Sequence, residues 1–326
     1  MNAICTILLI SYNHSKYIAR AIESVLSQET KYKYIIHIFD DASTDGTINI
    51  IKKYKDKFPE KIKTFISETN TGAQSNIWNA YKSVETEYVI VLEGDDYWCD
   101  NNKLELQINA LEQNPDCIFC ATQSKIININ DDYRANEDNT LLVVNQVVLN
   151  NSIITLDMIL NEHCGYINQL TSRVIRISRI DLNKIKYKEA FLYDNCQFFY
   201  LLLNGNMYFI NKVMSVYQQT GDGNCSGKHP WMRADIHTRA LLDLNRETES
   251  KIATKIYAEI IFYLRYTFGI AETAETGQTG QTEQTEQTEQ IERQENVGKI
   301  TQKSILSICW KYIYIKPIRK LKKIFL

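Results

Sequence analysis

Two adjacent carboxylates, Asp95 and Asp96, follow the apolar run "VIVLEG" and precede Tyr97 and Trp98. A second acid pair, Asp40 and Asp41, closes the run "YIIHIF" at 34–39, and a polar triplet, "SYN" at 11–13, closes a third. Like charges brought out of water at a strand end repel one another unless a cation or several donors hold them. Magnesium and manganese favour carboxylates together with phosphate oxygens, so the chemistry suggested is a divalent metal carrying a phosphorylated ligand. A lone Asp-Asp pair is more often a solvated turn or a helix cap. Three polar strand ends opening on one cleft favour the ligand.

The elements that must carry these residues are legible as alternation. Residues 3–10 read as a strand, and Asn13 or Ser15 is the expected cap of a helix with Ile18, Ile22, Val25 and Leu26 on one face. A strand at 34–39, the turn "STDGT" capping a helix with Ile48, Ile51 and Tyr54, a strand at 62–66, a helix at 73–84 and a strand at 88–92 follow. Strand and helix in alternation predict an α/β fold, a mostly parallel sheet flanked by helices, with a C-terminal helical appendage. Ligands of such sheets bind beyond the carboxyl ends of the strands, where all three polar stretches fall.

The blocks "TILLISYNHSKYIARAIESVLSQ", "IFDDASTDGT", "ETNTGAQSNIWNAYK" and "VLEGDDYWCDNNKLELQINALEQNPDC" resemble, in order, the signature blocks of family-2 glycosyltransferases with their nucleotide-diphospho-sugar transferase fold. The resemblance runs from residue 4 to about 120. It implies that Tyr12 lies against the base and that Asp41 accepts from the base ring, with Asp40 shaping the pocket. It also implies that Asp95 faces the ribose and that Asp96 coordinates the Mn2+ or Mg2+ bridging the donor diphosphate. The plainer reading of Tyr12 is a core aromatic. Trp98 either walls the sugar pocket or packs under the helix that follows.

A further block at 189–226, "EAFLYDNCQFFYLLLNGNMYFINKVMSVYQQTGDGNCS", resembles the family segment in which an acid opens a helix and serves as general base; that acid is Asp194, and an ordinary N-cap is the alternative. Two residues depart from the family pattern: Tyr193 stands where Gly or Glu is usual, and Thr220 where many members have His. The resemblance implies an inverting hexosyl- or N-acetylhexosaminyltransferase acting by single displacement on a surface-glycan or lipid-linked acceptor. Two other classes fit less well. A nucleotidyltransferase would want a basic, glycine-rich loop where "SYNHSKY" stands, and a non-catalytic nucleotide-sugar sensor would have no use for Asp194.

Composition bounds the rest. With 326 residues, 44% of them hydrophobic, the chain can bury a sizeable core. Residues 299–326 hold basic side chains and no acid, so the remainder is acidic and a poor prospect for nucleic acid. Eight scattered cysteines suggest a reducing compartment, and the zinc-like spacing of Cys117 and Cys120 has no second pair. "MNAICTILLISYN" reads as a strand rather than a signal peptide. The expected location is the cytoplasm, peripherally at the inner face of the membrane.

The expected organisation is a nucleotide-sugar half at 1–120, an acceptor half at 121–230, a helical extension at 231–270, a repeat linker at 271–298 and a basic tail at 299–326. Within the second half, 126–148 reads as a hairpin or flexible excursion, and His163 beside Cys164 as a packed pair. The tract "AETAETGQTGQTEQTEQTEQI" (271–291) has a period of three and almost nothing to bury. In the tail, Lys311, Lys316, Arg319, Lys320, Lys322 and Lys323 interleave with aromatic and aliphatic residues, the composition of a segment lying in an anionic membrane interface.

Overall fold

Period-two alternation builds two cores from one sheet. In β1 (Cys5–Ser11), Leu8 joins one hydrophobic cluster while Ile7 and Leu9 join the other. In β4 (Tyr88–Glu93), Val89 and Val91 face the first cluster, and Tyr88, Ile90 and Leu92 the second. Successive strand side chains point to opposite faces, so strands covered on both sides read as unbroken apolar runs. The computed structural model describes residues 3–128, 151–161, 170–220, 230–249 and 251, all within one compact unit, Met1–Ala271.

The elements follow in the order β1, α1 (Ile18–Leu26), β2 (Tyr34–Asp40), α2 (Thr47–Lys57), β3 (Ile62–Ile66), α3 (Ala73–Lys82), β4, β5 (Tyr97–Trp98), α4 (Lys103–Gln113) and β6 (Cys117–Asn128). Then come β7 (Ser152–Ile154), α5 (Leu156–Asn161), β8 (Arg173–Ile175), α6 (Glu189–Leu192), α7 (Asp194–Asn204), β9 (Asn206–Gln219) and α8 (Pro230–Glu247), with short 3-10 turns around β8. The sheet order is β3-β2-β1-β4-β8-β6-β9-β5, and β7 also pairs with β9. Strands β1 to β4 are mutually parallel, as are β6 and β9; β8 runs antiparallel to β4 and β6, and β5 and β7 antiparallel to β9. The α/β architecture with a mostly parallel sheet is the one expected.

Helix α1 buries Ile18, Ile22 and Val25 completely against the second cluster. Each such burial stabilises by about 2 kcal/mol, more than a helix cap contributes. That difference explains one correction. Neither Asn13 nor Ser15 caps α1: its N-cap is Tyr17, without a side-chain cap bond. Asn13 adopts φ 55° and its Oδ1 accepts from Thr44 N at 2.9 Å, while Ser15 N donates to Asp45 Oδ2 at 2.9 Å. Both residues tie the β1–α1 loop to the β2–α2 loop, and the helix starts without a side-chain cap, from amides of Tyr17 and Ile18 donating to the His14 carbonyl and from the burial of its apolar face. Helix α3 ends at Lys82 rather than at 84.

A boundary at 120 falls inside β6. Cys117 and Cys120 are buried free thiols of that strand, and among the described residues no three His, Cys, Asp or Glu side chains are grouped to hold a metal. The expected excursion at 126–148 begins as β6, and the rest of it, His163, Cys164, residues 252–270, the repeat tract and the basic tail lie outside the described residues. Among the described residues, no helix is long and apolar enough to cross a membrane.

Candidate active site

Register aligns the polar strand ends. Ser11 of β1 pairs with Asp40 of β2, and Ile10 pairs with Glu93 of β4. "SYN", Asp40–Asp41 and Glu93–Asp96 therefore open on one edge of the sheet. Tyr12 is 44% exposed there, so it is not a core aromatic. Asp40 is buried and turns the chain, accepting from Ser43 N at 2.8 Å and Ser43 Oγ at 2.6 Å; Ser43 Oγ in turn accepts from Asn13 N at 2.8 Å. Asp41, 2% exposed, accepts from Thr71 N and Gly72 N, both at 2.8 Å, and from Thr71 Oγ1 at 2.9 Å. Gly72 sits at φ 88°, a conformation that favours glycine, and this lets its amide turn toward the carboxylate. Asp41 thus anchors the β3–α3 loop at the mouth of the cleft.

The Asp95–Asp96 turn is held from behind by β9. Asp96 is 1% exposed; its Oδ1 accepts from Gln218 N at 3.0 Å, and its Oδ2 has no hydrogen-bond partner in the structure. The Gln218 side chain donates to the Asp95 carbonyl and accepts from Arg20. Asp95 Oδ2 lies 4.0 Å from His14 Nε2, and His14 packs so closely that a Cβ at Gly94 would fall 2.6 Å from its Nδ1.

Asp194 comes from the second half of the chain and opens α7. It is not the N-cap: that position is Tyr193, which makes no side-chain cap bond. Arg173, buried at the start of β8, donates through Nη1 to the Asp194 carbonyl at 2.9 Å and to Gln197 Oε1 at 3.4 Å, and Gln197 donates to Tyr81 Oη at 2.9 Å.

Electrostatics link the two halves. Burial, then the charges of Asp95 and Asp194, push Glu93 up to about 8. Burial also pushes Asp96 well above the carboxylate range, with Glu93, Asp95 and Asp194 adding to it and the Gln218 amide opposing. Burial raises Asp194 to about 6 against the guanidinium of Arg173 and the amides of Asp194 and Leu170. Desolvated like charges of this kind are relieved by a proton or by a cation.

Trp98 takes the packing role of the two expected. Its indole is 4% exposed in the second cluster, with Lys103 Nζ 5.5 Å from the ring centroid. Lys103 is itself buried and donates to Gln107 Oε1 at 2.5 Å and to the Ser172 carbonyl at 3.2 Å. Four residues of the site were not singled out in the sequence. Glu93 and His14 stand beside residues that were, and adjacency was the available signal. Arg173 and Gln218 gave none, because they meet Asp194 and Asp96 at 21 and 122 residues' separation. A surface groove of about 580 Å³ between α4 and β9, lined by Leu106, Tyr208, Ile210 and Lys212 among others, shares no residue with this cleft.

The model of the family described as "Glycosyl transferase family 2" matches residues 6–170. The chain belongs to that family. An uncharacterized protein of Mycobacterium tuberculosis is 34% identical over 122 residues, 37% of this chain and 35% of the relative. The poly(ribitol-phosphate) beta-N-acetylglucosaminyltransferase TarS of Staphylococcus aureus is 34% identical over 94 residues, 28% of this chain and 16% of TarS. The chain therefore spans about a third or less of these relatives' lengths. Among solved structures, residues 1–349 of S. aureus TarS in complex with UDP-GlcNAc superpose with a TM-score of 0.58 at 18% identity, covering 80% of this chain and 72% of that one. At that identity the likeness is one of fold. In this family 2 glycosyl transferase, the register of β1, β2 and β4 puts the carboxylates at the sheet edge where open α/β folds bind their ligands.

Proposed function

We propose that the chain is a metal-dependent, inverting glycosyltransferase that moves a hexosyl or N-acetylhexosaminyl group from a nucleotide-diphospho-sugar to a saccharide hydroxyl. The observation that carries this reading is the Asp95–Asp96 turn at the edge where β1, β2 and β4 end in register, with Asp96 presenting a buried, unpartnered oxygen and Asp194 near enough for its charge to raise Glu93 and Asp96. Family membership and the nucleotide sugar named in the TarS complex support the donor class.

Tyr12, exposed at the edge, offers its ring to the base, and Asp41 and Asp40 shape the base pocket. Asp95 faces the ribose. The residues also fit a divalent ion. Asp96 offers a buried, unpartnered oxygen in an over-negative cleft, and the lack of a protein cage among the described residues suits Mg2+ or Mn2+ shared with donor phosphates. Such an ion would be held by Asp96 and would supply charge stabilisation for the departing nucleoside diphosphate. Asp194 takes the proton from the acceptor hydroxyl as its oxygen attacks the anomeric carbon. A carboxyl raised to about 6 is a better base at neutral pH than an ordinary aspartate and remains mostly ionised there.

The acceptor we infer is a surface-glycan or lipid-linked saccharide. The basic tail supports it, because an anionic membrane attracts each Lys or Arg near its surface by ~1 kcal/mol. Co-sedimentation with anionic vesicles, with and without residues 299–326, tests that placement, and equal binding would reject it.

Asp194→Asn tests the activity itself. The change keeps size and removes basicity, so transfer in a screen of nucleotide sugars with Mn2+ should fall by ~10²- to 10⁴-fold while donor affinity persists. Undiminished transfer would exclude Asp194 as the base. A wild-type chain that binds nucleotide sugar but transfers nothing would favour the sensor.

A further inference from the structure

The end of β9 and the Asp95–Asp96 turn are joined more closely than strand pairing requires. Tyr97 and Trp98 pair with Val216 and Ser215, which brings Gln218 alongside the two acids. Gln218 then makes three bonds at once. Its amide N–H donates to Asp96 Oδ1 at 3.0 Å, its side-chain NH2 donates to the Asp95 carbonyl, and its side-chain oxygen accepts from Arg20 Nη2. Arg20 is fixed in turn, with its guanidinium carbon 4.0 Å above the centroid of the Tyr97 ring. Gln218 is 3% exposed, so these bonds do not compete with bulk water.

The result is an asymmetric carboxylate. One oxygen of Asp96 is committed to the main chain of β9, and the other, buried, has no partner. A side chain held in this way cannot rotate to offer both oxygens, and its open oxygen keeps a set direction. Resting on the metal reading above, we propose that Gln218, steadied by Arg20, is a positioning residue for the candidate cation site: it holds the Asp95–Asp96 turn so that Asp96 presents a single oxygen. Cation affinity is then set by a strand that supplies no metal ligand of its own. The donating and accepting ends of one amide are both needed, one for the Asp95 carbonyl and one for Arg20. Glutamate can meet only Arg20, and methionine neither.

The test is Mn2+ binding, read as the loss of the free-ion electron paramagnetic resonance signal on titrating the full chain, alone and with UDP or GDP. Gln218→Met should raise the Mn2+ dissociation constant by about tenfold, the scale of one or two buried hydrogen bonds. Arg20→Met should act in the same direction and more weakly. In Gln218→Met combined with Arg20→Met, the effects should fall short of additive, because both changes loosen one turn. Transfer by Gln218→Met should recover toward the wild-type rate at saturating Mn2+, a split that general unfolding would not give. Gln218→Glu keeps the Arg20 contact, so a folded Gln218→Glu chain with weakened Mn2+ binding supports the role of the Asp95 bond even where Gln218→Met folds poorly. Folded variants that bind Mn2+ as the wild type does overturn the proposal while leaving the metal reading standing. A wild-type chain that takes up no Mn2+ under any of these conditions overturns both.

Discussion

Gly94→Ala puts a methyl group where the structure has no room for one. The added Cβ would lie 2.6 Å from His14 Nδ1, 3.0 Å from Ile18 Cδ1 and 3.1 Å from the Ile10 carbonyl oxygen. The His14 and Ile18 side chains can give way. The Ile10 oxygen belongs to the backbone of β1, and it already accepts from Gly94 N at 2.8 Å. Relief therefore has to come from moving residues 94–96 away from β1, which displaces Asp95 and Asp96 together. Overpacking of this kind costs ~1–3 kcal/mol. If most of it appears as lost global stability, the melting temperature should fall by about 2–4 °C for each kcal/mol. If it is released by shifting the turn, donor affinity should fall about tenfold for each 1.4 kcal/mol. Calorimetric binding of UDP and GDP with Mn2+, beside thermal unfolding, separates the two. Adding His14→Ala to Gly94→Ala removes the shortest contact and keeps the one to Ile10, so the pair should recover part of the loss, with a coupling of at least ~0.5 kcal/mol. A Gly94→Ala chain with wild-type melting and wild-type donor affinity would refute the steric account of this turn.

Asp96→Asn keeps an oxygen for the Gln218 amide and removes the charge, so metal-dependent nucleoside diphosphate binding should vanish from a chain that melts no lower than wild type; calorimetry showing unchanged metal-dependent affinity would reject Asp96 as the ligand. Because Asp194 must be ionised to act and burial raises it to about 6, kcat/KM should fall as pH drops through about 6. Arg173→Met removes the charge that opposes the rise, and should move this limb to higher pH; an unmoved limb would mean another group sets it. Lys103 is lowered to about 7 by burial and deprotonates near 10.4 when unfolded, so between these values the unfolded chain holds the extra proton and this residue's contribution to stability rises with pH. Urea titrations should accordingly show the stability of Lys103→Met relative to wild type declining from pH 7 to pH 10, and parallel curves would contradict the assignment.

What could be read from the chain follows the range of the forces involved. β1, β2 and β4 announced themselves because burial on both faces leaves continuous apolar runs, and Asp40, Asp41, Asp95 and Asp96 because an acid after such a run is conspicuous. A cap is a local pattern, and locally Asn13 or Ser15 fits one. Their actual partners, Thr44 and Asp45, lie on another loop and could be known only once β1 and β2 were paired in register. Trp98 was legible as an aromatic beside the acids, but its direction depends on the second cluster and on Lys103, whose Nζ lies over the ring. Arg173 and Gln218 had no signature at all, since an arginine or glutamine in a strand acquires its meaning from what the sheet brings opposite.

The bond from Gln218 N to Asp96 bears on how such a chain could be recombined. A chimera that kept residues 1–120 and took its remainder from a relative would bring in a new β9, and with it a new neighbour for the acid pair. The contact to Asp96 Oδ1 is made by main chain, so almost any incoming residue renews it, whereas the side-chain bonds to the Asp95 carbonyl and Arg20 return only if the graft carries glutamine at that level. Proline is the exception, having no N–H to give. A graft with proline at that level would close the sheet and leave a buried carboxylate oxygen without its donor.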